Sequence, residues 1–467
     1  MLHEFQIVLA QTVTFRDPQG RLVRDGDQVL REIYPQHAQK VLSWIQSPLA
    51  QDWMQKRRLV PTKVVAARPD CLLLLEHERV FFPSYPWEWT PAQWLSAGLL
   101  TLDLCEEALA AGYILKDATP LNVLFSGTQP VFVDVLSFDG RDAQSPLWMA
   151  YAQFVRTFML PLAAFLYLGW PLAASMQRRD GYEPADLAPW LPFAQRWRDP
   201  LRSLVTLPLL LESNARLKQA RPGARRRRVS PELSTPILRS TLRSARKRLL
   251  SLRPSARASR WSTYTDAALH YKPEDQSTKR DFVQRALTGI KPAHVLVVGA
   301  NTGVYSRIAA RCGAEVVAWD SDLQASELNW NEAHSAGLSI LPLAVDFARP
   351  TPAVGWGNDE CASLLSRARG RFDCVLMLGV LHHLLVSDQI PLPAILDQLA
   401  DITSRWAILE WIPKEDPKFE ELTKGRDELY AHLTEDFFVQ LLSQRFDVRS
   451  YEHLANGRSL RLVEKTQ

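Results

Sequence analysis

The chain has 467 residues, of which 46% are hydrophobic and 23% charged, so it is long enough for two or three domains with buried cores. This composition excludes a fully disordered chain, a collagen-like fibre and a small disulfide scaffold. The formal net charge is +4, from 55 basic and 51 acidic residues. Taken alone, that balance favours neither a nucleic-acid binder nor a membrane-surface protein.

The cysteines are sparse, and neither a CxxC pair nor a His/Cys cluster at zinc spacing occurs, so we predict no metal site. An odd number of scattered cysteines fits a reducing compartment, and we expect a cytoplasmic protein. The apolar run at 7–10 is too short for a signal peptide and has no basic leader before it. The five cysteines are Cys71, Cys105, Cys312, Cys361 and Cys374.

Polar residues in the N-terminal part have the spacing of a protein-kinase catalytic loop. Asp117 is followed five residues later by Asn122 and an apolar run, and Asp134 lies twelve residues further on. In a kinase, Asp117 would orient a hydroxyl, while Asn122 and Asp134 would hold a metal ion. The upstream strings LLLLEHERV and PAQWLSAGLLTLDLCEEALAAG resemble a kinase hinge and the helix before that loop.

Other kinase features are absent from the sequence. The first hundred residues contain only Gly20, Gly26 and Gly98, which do not form a glycine-rich loop. No clear strand lysine paired with a helix glutamate occurs, although Lys63 could fill that role, and Asp-Phe-Gly is replaced by Asp134-Val-Leu. The N-terminal part therefore resembles a degenerate kinase-like α+β domain, in which the polar residues satisfy loop backbone.

One uncharged stretch, 157–176, approaches the length of a membrane span. Pro161 and Pro171 interrupt it, and Gln153 and Arg156 precede it. We interpret it as a pair of buried core helices and predict no membrane span.

The stretch 216–260 differs from the rest of the chain. It contains fifteen basic residues and one acid, so its local charge is +14 and the remaining chain carries −10. Prolines and serines interrupt the charges, which predicts a linker with one basic helix around 237–252. The cluster Arg225–Arg228 could bind nucleic acid, anionic lipid or an acidic partner, although a solvated tether is the usual role of such a stretch.

The C-terminal part alternates strands and helices. Continuous apolar runs of strand length predict five parallel strands covered on both faces. Two alternating runs around Asn456-Gly457 predict an antiparallel closing hairpin, and the whole is a doubly wound α/β sheet. The five runs are HVLVVGA (294–300), EVVAWD (315–320), SILPLAVD (339–346), FDCVLMLGV (372–380) and WAILEWI (406–412).

Small or acidic residues end each predicted strand, where open α/β sheets bind ligands. The first strand leads into Gly299-Ala300-Asn301-Thr-Gly303, which lacks the dinucleotide pattern GxGxxG. The second strand ends at Asp320, whose carboxylate could accept hydrogen bonds from ribose hydroxyls. The later strand ends supply Asp346, Phe347, Gly379 and Glu410.

The GxNxG loop and these strand ends resemble the class I S-adenosylmethionine-dependent methyltransferases. The resemblance implies a cofactor contacted by the glycine loop, by Asp320 at the ribose and by Asp346 and Phe347 at the adenine, with Gly379 opening the substrate-facing loop. Val297 departs from the family, which often has an acid two residues before the first glycine. The strings VLVVGANTGVYSRIAA and LHHLLVSDQIPL are similar to bacterial proteins resembling nodulation host-specificity methyltransferases, as is LKDATPLNVLF in the N-terminal part.

Methyl transfer from a sulfonium needs a positioned nucleophile and, for a neutral one, a base. His383 and His382 in the LHHL string are the candidates for that base, because histidine titrates near neutral pH. Glu410 could orient the substrate or satisfy a loop amide.

We therefore predict a kinase-like domain at 1–210, a basic linker at 211–261 and a methyltransferase domain at 262–467. The predicted function is methylation of an unidentified acceptor, a small molecule being favoured, with the N-terminal domain helping to recognise the acceptor or to regulate transfer. One alternative is an ATP-dependent phosphotransferase or nucleotide-sensing module fused to a methyltransferase. The other is a non-enzymatic adaptor made of two degenerate folds.

Overall fold

The computed structural model describes residues 16–26, 28–66, 73–217, 229–254 and 273–466. They belong to two compact units, the first made of Met1–Phe125 and Pro130–Ser255 and the second of Ser126–Gln129 and Ala256–Gln467. The predictions for the first residues, for Cys71 and for Arg225–Arg228 lie outside the described residues.

The first unit begins with a four-stranded antiparallel sheet of order β1-β2-β4-β3. Strand β4 alternates buried and half-buried side chains, as expected for a strand with one face on the core. Two helices that both start at a proline separate β2 from β3. The elements are β1 (Gly20–Asp25), β2 (Gln28–Ile33), α1 (Pro35–Ile45), α2 (Pro48–Gln55), β3 (Thr62–Ala66) and β4 (Leu73–His77).

A long buried helix, α3, forms the centre of the first unit. Thr90 caps its first turn reciprocally with Gln93, and Pro91 occupies the first helical position. Short paired strands follow it, β5 with β8 and β6 with β7, and the predicted catalytic-loop residues lie between them. The elements are α3 (Pro91–Ala110), β5 (Tyr113–Leu115), β6 (Val123–Ser126), β7 (Gln129–Phe132) and β8 (Phe138–Gly140).

The uncharged stretch lies on a helix of the first unit. Among the described residues, one helix, Tyr151–Leu168, is long and apolar enough to cross a membrane, and half of it is buried in the folded protein. Gly169, with a φ of 70°, ends that helix, and a 3-10 helix, Leu172–Gln177, follows Pro171. The α-helical segments from here are α4 (Tyr151–Phe154), α5 (Leu160–Leu168), α6 (Pro184–Leu187), α7 (Phe193–Arg196), α8 (Leu207–Leu217) and α9 (Pro231–Ser251).

Helix α9 differs from the predicted linker at 211–261. The predicted basic helix is present, but it packs within the first unit, with Leu238, Leu242 and Leu249 buried. Arg246 forms an ion pair with Asp103 of α3, and the Arg248 guanidinium donates a hydrogen bond to the Tyr151 hydroxyl (2.7 Å). The apolar residues recur every three or four positions, which gives the helix a buried stripe, while Arg239 and Arg243 are exposed.

The second unit contains a seven-stranded sheet of order β11-β10-β9-β12-β13-β15-β14 among the described residues. Strands β9 to β13 are parallel, and β15 runs antiparallel to both β13 and β14. The predicted α/β class is confirmed for this part of the chain. The strands are β9 (His294–Val298), β10 (Glu315–Asp320), β11 (Ile340–Ala344), β12 (Phe372–Met377), β13 (Thr403–Trp411), β14 (Phe446–His453) and β15 (Ser459–Lys465).

Helices cover this sheet, and its central strands are almost completely buried. The strand order reverses beside β9, which places the crevice at the carboxyl ends of β9, β10 and β12, the usual ligand position in a doubly wound sheet. The helices are α10 (Pro273–Ile290), α11 (Val304–Arg311), α12 (Leu323–Ser335), α13 (Leu364–Ala368), α14 (Leu392–Ile402), α15 (Pro417–Thr423) and α16 (Glu435–Leu442).

Candidate functional site

A cleft of about 460 Å³ opens at the carboxyl ends of the parallel strands of the second unit. Its volume lies in the range of small-molecule sites. Gly303 and Glu410 are not among the residues that line it. The other predicted site residues do line it: Gly299, Ala300, Asn301, Asp320, Asp346, Phe347, Gly379, His382 and His383.

The loop after β9 needs its two glycines for different reasons. A Cβ on Gly299 would overlap the Val380 side chain, so glycine lets the loop pass close to the segment after β12. A Cβ on Gly303 would overlap Asn329 of α12, so this glycine serves helix packing rather than the cleft. Asn301 has a φ of 49°, which asparagine tolerates better than most residues, and its side chain accepts the Thr302 amide (2.6 Å).

Asp320 fixes the loop and faces the cleft. Its carboxylate accepts the backbone amides of Asn301 (2.7 Å) and Asp322 (2.8 Å), one on each oxygen. A carboxylate has about four acceptor positions, so each oxygen can still accept a hydroxyl from a ligand. Burial raises the pKa of Asp320, and the two amide hydrogen bonds oppose that rise.

Two aromatic rings lie beside Asp320. The rings of Trp319 and Phe347 are 6.3 Å apart between centroids, and both line the cleft. Asp346 accepts the Ala348 amide (2.8 Å) and pairs with Arg349 (2.8 Å), which also reaches Asp388 (3.1 Å). This end of the cleft can therefore hold a flat ring and offers it carboxylate acceptors.

His382 lies in an environment that opposes the predicted proton-accepting role. It is 4% exposed, and its Nδ1 has no hydrogen-bond partner among the described residues. Burial above all, together with the nearby His383, Arg458, Lys279 and Lys418, lowers the pKa of His382 to about 2. The imidazole is thus neutral at physiological pH. The His383 ring is half-buried, with its centroid 4.0 Å from that of His382, and His383 remains the candidate base.

Glu410 lies behind the cleft wall. It is 0% exposed, and it accepts the Lys279 ammonium (2.6 Å) and contacts the Arg458 guanidinium (3.5 Å). Arg458 also makes two hydrogen bonds to Asp416, at 2.7 and 3.2 Å. Lys279 and Arg458 line the cleft, so Glu410 positions cations there and does not itself face a ligand.

Sequence reasoning missed several cleft residues. Lys279 and Arg280 come from α10, Lys418 from α15 and Arg458 from the turn before β15. These positions lie up to 179 residues apart, and no local motif connects them. The only sequence pattern that could have located one of them is the turn Asn456-Gly457, which places Arg458 directly before β15.

The first unit brings the kinase-like polar residues together. Asn122 donates to the Ser137 hydroxyl (3.1 Å), which donates in turn to Asp134. Asp117 accepts a hydrogen bond from Gln153 (2.5 Å), and burial raises the pKa of Asp117.

The predicted strand lysine is not part of this cluster. Asp134 pairs with Arg31 of β2 (3.0 Å), whereas Lys63 is exposed on β3. Arg31 is therefore the cation that holds Asp134, and the role of Lys63 as a strand lysine stays a prediction. The described residues contain no group of three or more His, Cys, Asp or Glu side chains arranged to hold a metal ion.

No protein-family model matches the chain. The chain is 28% identical to the nodulation protein NoeA of Rhizobium meliloti (strain 1021), over 97% of this chain and 96% of that protein. The similarity therefore spans both units.

Several solved methyltransferase structures match one part of the chain. The N-methyltransferase NodS from Bradyrhizobium japonicum WM9 is 11% identical with a TM-score of 0.31, over 42% of this chain and 99% of that one. The magnesium protoporphyrin IX methyltransferase ChlM from Synechocystis PCC 6803 with bound SAH is 17% identical with a TM-score of 0.31, over 41% and 84%. The bifunctional kinase-methyltransferase WbdD is 18% identical with a TM-score of 0.32, over 43% and 41%.

The second unit has the sheet order and the cleft position that the resemblance to class I methyltransferases implies. The kinase-like resemblance of the first unit stays a prediction.

Proposed function

We propose that the chain is a class I S-adenosylmethionine-dependent methyltransferase whose cofactor binds in the cleft of the second unit. The observation that carries the proposal is Asp320, a half-buried carboxylate tied to the glycine loop by the Asn301 amide and still able to accept hydroxyl hydrogen bonds. A structural acid that only capped a helix would have no reason to line a cleft of this size.

The residues present fit this cofactor. Asp320 would accept the ribose hydroxyls, and Asp346 with the half-buried Phe347 ring would hold the adenine. The glycine at 299 lets the loop backbone approach the ligand. Val297 is buried in the core, so the family's usual acid at that position has no counterpart here.

Bound S-adenosylmethionine supplies an activated methyl group. The displacement is in line and the sulfide is a good leaving group. The main tasks of the chain are therefore to orient the acceptor and to exclude water. The lowered pKa makes His382 a weak base, so a proton on a neutral acceptor would have to pass to His383 or to water. The acceptor itself remains open, and we propose that the first unit helps to recognise it or regulates transfer.

Calorimetry on the full chain tests the proposal. We expect saturable binding of S-adenosylmethionine and of its demethylated product, and turnover of labelled methyl groups in extracts of the native host. No heat with either compound would overturn the proposal. Labelled-methyl turnover would also remove the alternative of a non-enzymatic adaptor.

A second candidate function is phosphotransfer or nucleotide sensing by the first unit. The convergence of Asp117, Asn122 and Asp134 favours it. The pairing of Asp134 with Arg31 counts against it, because a magnesium ion would have to displace the guanidinium. A magnesium-dependent thermal shift with ATP would support this function, and its absence would reject it.

A further inference from the structure

Charges of both signs line the cleft. Among the acids, Arg349 bridges Asp346 and Asp388, and Asp320 holds the glycine loop. Four further cations line the cleft, and we call them the basic wall: Lys279, Arg280, Lys418 and Arg458. Glu410 and Asp416, which position two of these cations, are not among the lining residues.

In the basic wall, two cations are held in place by buried carboxylates and two can pair with a ligand. Lys279 and Arg458 are buried and held by carboxylates behind them, so their positions are set before any ligand arrives. Lys418 pairs with the exposed Glu421, a weak contact that a ligand can replace. Arg280 is exposed and makes no hydrogen bond or ion pair within the part of the chain that the structure describes.

His382 supplies an independent sign of a ligand at this wall. Its ring is buried, lines the cleft and has an Nδ1 without a partner among the described residues. An unpaired buried ring nitrogen is costly, and a bound group that completes its hydrogen bond relieves that cost. Protonating His382 would add a buried cation beside Lys279, Lys418 and Arg458, so this ring suits donation to an anion better than removal of a proton.

We propose that the methyl acceptor presents an oxyanion, a carboxylate or a phosphate, to the basic wall beside His382, and that this oxygen receives the methyl group. An oxygen that is already ionised needs no base. The carbon–sulfur bond breaks with its electron pair left on sulfur, the new oxygen–carbon bond forms, and no proton is released. The product has lost one negative charge, so its attraction to the wall falls and its release is favoured.

This inference rests on the proposed function, and one experiment separates the two. The full chain is first titrated with S-adenosylhomocysteine by calorimetry. The saturated protein, with ¹³C-labelled histidine, is then titrated with inorganic phosphate or acetate while the ring signals of His382 and His383 are followed. Chloride at equal ionic strength is the control for screening.

We expect a saturable shift of the ring signals with phosphate or acetate and none with chloride, the stronger anion indicating the acceptor class. Lys418→Gln should weaken anion binding about tenfold. Lys424→Gln, an exposed position on the same segment outside the cleft, should leave it unchanged. The inference is overturned if S-adenosylhomocysteine binds but no anion shifts the rings, or if Lys418→Gln weakens S-adenosylhomocysteine instead. No binding of S-adenosylhomocysteine would reject the proposed function first.

Discussion

The two units gather carboxylates in similar ways but use them differently. In the first unit, Asp134 pairs with Arg31 and accepts a hydrogen bond from Ser137, and Asp117 accepts a hydrogen bond from Gln153. In the second unit, Asp320 uses one acceptor position on each oxygen for the loop and keeps the rest toward a cleft. A sequence motif therefore predicts where polar residues meet, while their remaining hydrogen-bond capacity decides whether they serve a ligand.

The largest expected effect is on cofactor affinity, and it distinguishes Asp320 of the second unit from Asp117 of the first. Asp320→Ala should weaken S-adenosylmethionine by about 1,000-fold, because two hydrogen bonds to a charged acceptor are lost. Asp117→Ala should leave the affinity unchanged. Calorimetry on both variants checks this, with near-ultraviolet circular dichroism to verify the fold. Equal losses in the two variants would contradict the assignment of the cofactor to the second unit.

The next effect tests the buried carboxylate behind the basic wall. Glu410→Gln should lower the free energy of unfolding by about 3 kcal/mol, because Lys279 and Arg458 would remain buried beside an uncharged partner. Glu332→Gln is the matched control, since the Glu332–Arg307 distance is also 2.6 Å but Glu332 is exposed. Its effect should stay within about 0.5 kcal/mol. Urea unfolding of both variants measures the difference, and similar losses would refute a special role for burial.

The sequence predicts the cleft because its strand ends obey a geometric rule. Parallel strands point their carboxyl ends to the same sheet edge, so Gly299, Asp320, Asp346 and Gly379 could be brought together from their positions alone. Gly303 was predicted for the same loop, but its missing Cβ serves contact with Asn329. The loop pattern fixes the backbone conformation, and which side of the loop each glycine faces depends on tertiary packing.

The strand-end rule predicted neither the basic wall nor the packing of α9, for different reasons. Lys279 and Arg458 meet at Glu410 only after the sheet has formed, and charged residues on a terminal helix or hairpin turn are ordinarily solvated. Helix α9 lies within the stretch 216–260, whose fifteen basic residues dominate the composition. They concealed the apolar spacing of Leu238, Leu242 and Leu249. Charge counts describe a surface, whereas periodicity describes a buried face.

The smallest expected effect concerns pH and sharpens the comparison. Burial raises the pKa of both Asp117 and Asp320 above the ordinary value of 3.8, so each ionised carboxylate costs stability in the folded state. Below pH 3.8 both states are mostly protonated and the cost is absent; it grows as pH rises and is full above the folded pKa. Asp117→Asn should therefore stabilise the protein at pH 7, and the gain should disappear toward pH 3.8.

Urea unfolding between pH 4 and pH 7 measures this gain, and Asp180→Asn, at an exposed position, is the control that should show none. Asp320→Asn should show the same pH-dependent gain in stability but should weaken the binding of S-adenosylmethionine. The ionised Asp320 carboxylate costs stability and is retained because it binds a ligand. Asp117→Asn should gain stability without any loss of cofactor affinity. If Asp117→Asn instead destabilised the protein at pH 7, the ionised form would be the one the first unit stabilises, and its carboxylate cluster would have to be reconsidered as a cation site.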